Sequence, residues 1–120
     1  MADEDNERRT AARHNVYIGA EIDGGEGPVR SAITRDGSAT GLLLLTRAKL
    51  EVGQSVRINV FLREGESHAI QARVVRQEPL DTEENALWRQ KMAVEMEKPD
   101  PELAKKLEEL AEHQARTYGS

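Results

Sequence analysis

The sequence predicts an all-β fold: a six-stranded antiparallel β-barrel, preceded by a flexible N-terminal arm and followed by one α-helix. Three observations carry that expectation. Apolar residues alternate with polar ones at period two through most of the middle of the chain. Short clusters of turn-forming residues separate these runs, the pattern of a small barrel that closes its own sheet and hides its edges. After Asp100 the apolar spacing changes from two to the helical repeat.

Each element follows in order. Residues 1–15 have no apolar periodicity and read as a flexible arm. Val16, Ile18, Ala20 and Ile22 alternate with Tyr17, Gly19 and Glu21, a half-buried strand. The run Asp23-Gly24-Gly25-Glu26-Gly27 supplies a turn rich in residues that accept positive φ. A second strand is expected from about Val29 to Thr34, then a turn at residues 36–41, then a third strand near 41–46. Gly53 and Gln54 mark the next turn. Val56, Ile58, Val60 and Leu62 form a fourth strand, residues 63–66 a hairpin loop, and Ile70, Ala72 and Val74 the return strand. A polar stretch at 78–85 precedes the last strand, where Trp88, Met92, Val94 and Met96 share one face. Asp100 suits an N-cap and Pro101 the first helical position. Leu103, Leu107, Leu110, Gln114 and Tyr118 then recur at helical spacing, and Gly119 is the expected stop. The expected division is an arm at 1–15, a barrel at 16–97 and a helical segment at 98–120.

Composition narrows the function. The 120 residues suffice for one modest core, and the chain has no cysteine, which removes disulfides and thiolate metal sites. No apolar run approaches the length of about 20 residues that a helical bilayer span needs, and no secretory signal is visible; the expected setting is cytoplasmic. The net charge of −5 opposes a general DNA or RNA binder. The charge is uneven, with eleven Lys/Arg against eight Asp/Glu over residues 8–80 and acidic segments on either side. A mildly basic middle suits a small anionic ligand.

Two motifs suggest what that ligand is. Arg9-Thr10-Ala11-Ala12-Arg13 is an R-x-x-x-R, and Asp36-Gly37-Ser38-Ala39-Thr40-Gly41 is a D-x-S-x-x-G that runs into apolar residues 42–45. Arginine's planar fork matches the O6 and N7 acceptors of guanine, stacks on a base and pairs with phosphate oxygens. An aspartate can accept from the N1–H and N2–H donors of guanine. A serine hydroxyl can bond base or phosphate, and a glycine allows a turn that a Cβ would block. No nucleophile stands beside a base, and His14, His68 and His113 share no metal-ligand spacing. The expectation is therefore a binding protein, with no catalytic residues, no metal and no cofactor.

At these residues the chain closely resembles the PilZ family of small barrels that bind cyclic di-GMP in bacteria. The resemblance covers about residues 7–97. It implies that Arg9 and Arg13 contact guanine and phosphate, that Asp36 and Ser38 hold a guanine edge, and that Gly41 shapes the turn. Arg8 occupies the position that the family links to binding one ligand or a stacked pair. The chain departs from the family pattern at Gly37, usually apolar, and at Thr40, often glycine. The resemblance implies a cyclic di-GMP receptor that changes its arm conformation and signals to a downstream protein. The rival reading is a nucleotide-independent interaction module of a motility or secretion system.

Overall fold

The computed structural model describes residues 13–25, 27–80 and 88–118, with side chains to residue 116. Arg8, Arg9 and all but the last three residues of the expected arm lie outside the described residues, as do residues 81–85 of the polar stretch and Gly119. Seven strands run in order: β1 (His14–Asn15), β2 (Gly19–Asp23), β3 (Arg30–Gly37), β4 (Gly41–Thr46), β5 (Ser55–Phe61), β6 (Ser67–Pro79) and β7 (Gln90–Met96). A short 3-10 turn at Arg63–Gly65 links β5 to β6, and α1 spans Pro101–Tyr118.

All the strand pairings are antiparallel. Following the hydrogen bonds gives β3-β2-β5-β6-β7-β4, and β4 pairs again with β3. Six strands therefore close into a barrel, as the alternating pattern requires. The seventh, β1, pairs with the end of β3 that β2 leaves uncovered.

The expected first strand, 16–22, thus begins only at Gly19, and β1 falls instead in the last residues of the expected flexible arm, where His14 and Asn15 pair with β3. Residues 16–18 leave the ladder, and the buried Thr34 bridges the gap. Its Oγ1 accepts from the N–H of Ile18 (3.0 Å) and donates to the carbonyl of Val16 (2.5 Å). A buried backbone group without a partner is costly, so the hydroxyl lets the chain change course there without losing both bonds. Two other strands run longer than the apolar spacing suggests. β3 extends to Gly37, and β6 extends to Pro79, which pairs with Gln90.

The core lies inside the barrel, where Ile22, Leu42, Leu44, Ile58, Val60, Val74 and Met92 are fully buried. Helix α1 adds Leu103, Leu107 and Leu110 to the same cluster. Each such side chain contributes about 1.5–3 kcal/mol by leaving water. Asp100 caps the helix, its Oδ1 accepting from the N–H of Leu103 at 3.0 Å. Its Oδ2 bonds His68 Nε2 at 2.7 Å, and Lys106 pairs with Glu66, so β6 and the β5–β6 loop are tied to the helix. At the far end of α1, the Gln114 side chain grips the backbone of Tyr17, accepting from its N–H (3.0 Å) and donating to its carbonyl (2.9 Å).

Candidate ligand-binding site

The D-x-S-x-x-G segment is part strand and part turn. Asp36 and Gly37 end β3, and only Ser38, Ala39 and Thr40 form the turn into β4. Ser38 is fully buried. Its Oγ accepts from the N–H groups of Thr40 (3.1 Å) and Gly41 (3.3 Å) and lies 3.2 Å from the Thr40 hydroxyl. The turn's own N–H groups thus engage the oxygen that the resemblance assigns to a guanine edge. Further bonds fix the turn from outside. The carbonyl of Thr40 accepts from Met96 N–H (2.8 Å), and that of Ala39 from Asp100 N–H (2.7 Å).

Gly41 also differs in its reason. Its φ is not among the positive values, which occur at Gly25, Gly27, Gly53 and Gly65. A Cβ on Gly41 would stand 2.6 Å from the carbonyl oxygen of Val94, so the residue is small because β7 passes close by. Gly37, a departure from the family pattern, is equally constrained. A Cβ there would lie 2.6 Å from Leu42 Cδ2 and 2.7 Å from Leu107 Cδ1. The space an apolar side chain would need is filled by Leu42 of β4 and Leu107 of the helix.

A β-bulge aims Asp36. Thr34 pairs with Leu44, but the next pair is Asp36 with Leu43, leaving Arg35 as the extra residue. Alternation from the buried Ala32 and Thr34 would send Asp36 inward. The added residue reverses the phase, so Gly37 is buried and Asp36 faces out, as a one-residue slip in a strand must cause.

Asp36 opens onto a cleft of about 580 Å³ on the outer surface of the barrel. Arg13 stands at its rim, its Nε 2.5 Å from Asp36 Oδ1, with the arginine side chain 48% and the aspartate 17% exposed. The floor is formed by Leu43 on β4 and Ala93 on β7, which are paired and half-buried. Thr40 and Gly41 line one end, and the opposite wall is Val75 and Arg76 of β6. Of the expected site residues, Arg13, Asp36 and Gly41 line this cleft, and Ser38 lies behind it. Val75 and Arg76 were not singled out by the motifs. Their sequence signal is the break in alternation at Val74-Val75, where two apolar residues adjoin before a charged one.

The structure is that of a small closed antiparallel barrel with a cleft on its outer face, lined by two arginines and an outward-turned aspartate over an apolar floor. A family model described as the PilZ domain matches residues 7–113, and the chain belongs to that family. The match reaches well into α1. Several solved structures are similar, among them the following three. The PilZ domain of YcgR from Escherichia coli, solved with c-di-GMP, superposes with a TM-score of 0.73 at 12% identity, covering 94% of this chain and 98% of that one. The inhibitor of motility MotI/DgrA of Bacillus subtilis gives 0.62 at 19% identity over 92% of this chain and 50% of that one. The PilZ domain of CeSA from a cellulose-synthesizing bacterium gives 0.58 at 20% identity over 87% of this chain and 98% of that one. The chain thus spans about half the length of MotI and nearly all of the other two domains. No curated protein sequence matches.

Proposed function

We propose that the protein is a cytoplasmic cyclic di-GMP receptor that binds the dinucleotide in the cleft between Arg13 and Asp36 and passes the signal to a downstream protein. The observation that carries this reading is the meeting of the two motifs. Residues 23 apart in sequence are joined by an ion pair at the edge of one cleft. An arginine fork and a carboxylate side by side offer what a guanine edge and a phosphate require: a bidentate donor and an acceptor for N1–H and N2–H. Similarity to a YcgR domain solved with c-di-GMP supports the choice of ligand.

Binding replaces the Arg13–Asp36 pair by contacts of each group to the ligand. Arg9, four residues before Arg13, reaches the same ligand, and Arg8 adds charge beside it. Ser38 and Gly41 act by holding Asp36 and the turn in place. The arm moves with Arg13, and this movement is the signal. The proposed role is binding without turnover. Among the described residues no helix is long and apolar enough to cross a membrane.

Calorimetry with the purified chain tests this. Cyclic di-GMP is expected to bind, and Arg13→Ala and Asp36→Ala are each expected to weaken binding by at least tenfold, since a good bidentate base contact is worth roughly 1–3 kcal/mol. Absence of heat, or unchanged binding by both variants, would overturn the proposal. Capture of a partner protein that is indifferent to cyclic di-GMP and to both substitutions would favour the nucleotide-independent module instead.

A further inference from the structure

The cleft has a second charged end, built by the same device as the first. On β6, Val74 pairs with Val94, but the next pair is Arg76 with Ala93, leaving Val75 as the extra residue. Alternation from the buried Ile70, Ala72 and Val74 would point Arg76 into the barrel. The bulge reverses the phase and turns Arg76 out, with its side chain 62% exposed, while the half-buried Gln77 bonds the backbone of Ala48 and Leu50.

The pairings place the outcome in one line. Asp36 pairs with Leu43, Leu43 with Ala93, and Ala93 with Arg76. Four adjacent strands thus carry a single outward row: an acid, two apolar floor residues and a base. Three strand spacings separate its ends, roughly 14 Å at about 4.8 Å each. That is wider than one nucleobase. Two bulges are needed to make the row, one on each flank of the β4–β7 pair; without either, one of its charged ends would point into the core. Val75, 43% exposed, adds an apolar edge beside Arg76. Arg76 is engaged by Glu78, with Nε 3.2 Å from Oε1, and Lys91 approaches the other oxygen of Glu78 at 3.7 Å.

We propose that Arg76 is a ligand-binding residue that holds the far half of the dinucleotide, with Glu78 competing for it. Resting on the reading of the cleft as a cyclic di-GMP site, this assigns the Arg13–Asp36 end to one guanine and its phosphate. Across the Leu43–Ala93 floor, the Arg76 guanidinium meets an acceptor pair on the second half. Both a phosphate and the O6/N7 edge of guanine present that acceptor chemistry.

The test is calorimetric titration of cyclic di-GMP into the full chain and into Arg76→Ala, Arg76→Lys, Glu78→Gln and Asp36→Ala. Unfolding midpoints are measured in parallel. Arg76→Ala is expected to weaken binding at least tenfold with an unchanged midpoint, because the side chain is exposed. Glu78→Gln is expected to tighten binding two- to fivefold by releasing Arg76 and to have no effect in the Arg76→Ala background, whereas a general loss of negative charge would tighten binding in both. In the unaltered protein the Arg76 Nε–H resonance is expected to shift on titration. Arg76→Lys separates two modes of contact: retained affinity shows that a point charge suffices, and loss equal to that of Arg76→Ala shows that the planar bidentate fork is required. If the unaltered chain binds, Asp36→Ala fails to bind and Arg76→Ala binds within twofold of the unaltered chain, this inference falls while the receptor reading stands. If the unaltered chain does not bind, both fall together.

Discussion

At the scale of single residues, the motif positions divide by what surrounds them. Arg13 and Asp36 line the cleft, whereas Ser38 bonds the turn and Gly41 packs against the β7 backbone. Their substitutions should separate accordingly. Arg13→Ala should leave stability within about 1 kcal/mol, because an exposed ion pair contributes little. Ser38→Ala strips the buried N–H groups of Thr40 and Gly41 of their side-chain acceptor, and should cost about 1–3 kcal/mol. Gly41→Ala drives a methyl into the β7 backbone and should cost a similar amount by overpacking. Urea denaturation checks all three, and a destabilised Arg13→Ala beside a neutral Ser38→Ala would contradict the division. These roles explain what the sequence left open. The two motifs point to Arg13 and Asp36, which meet, but do not disclose which motif residues face outward. That depends on Arg35 and Val75, whose effect on phase exists only once β3 and β6 are paired with their neighbours. The alternating strands and the capped helix were legible because each is a local pattern. The break at residues 16–18 was not, because it depends on a hydroxyl of another strand.

At the scale of elements, α1 is part of the domain rather than an appendage. Its leucines complete the core, Leu107 fills the space beside Gly37, and its N-terminus is bonded to the D-x-S turn. Asp100 is the junction. Partial burial pushes its carboxyl up, but the hydrogen bonds from His68 and the Leu103 N–H, with the charges of His68 and Lys106, outweigh this and hold it below its ordinary value. A group depressed in the folded state stabilises it above the unfolded-state pKa and loses that contribution as pH falls through the folded value. Asp100→Asn should therefore be less stable than the unaltered chain at neutral pH. The gap should narrow as pH falls below about 4, near the ordinary aspartate value. Unfolding free energies of the two proteins across pH 2.5–7 would measure this, and a gap that widens in acid would refute the assignment.

At the scale of the whole molecule, two ties join the cleft to the helix. One runs from the D-x-S turn through Ala39 to Asp100, and the other from Tyr17 to Gln114. The second bears on signalling, since Tyr17 lies only four residues beyond Arg13 and follows β1 directly. If ligand binding draws the arm towards the cleft, the Tyr17–Gln114 bonds transmit the movement to the end of α1. Gln114→Ala should leave cyclic di-GMP affinity within about threefold and should uncouple the helix. Ligand-induced changes in amide exchange should then persist at Asn15 and disappear over residues 110–116. Identical exchange changes in both proteins would show that the signal leaves by another route.

The interruption between β1 and β2 acts as a perforation in the sheet. A tear that starts at Arg13 must release its pair with Asp36, the pairings of His14 and Asn15, and the Val16 N–H bond to the Arg35 carbonyl as it meets the Thr34 stitch, and beyond that stitch β2 is secured on both flanks, by β3 and by β5. The molecule therefore has a defined tear line. The two-residue β1 is paired on one flank alone, whereas β2 behind it is paired on both.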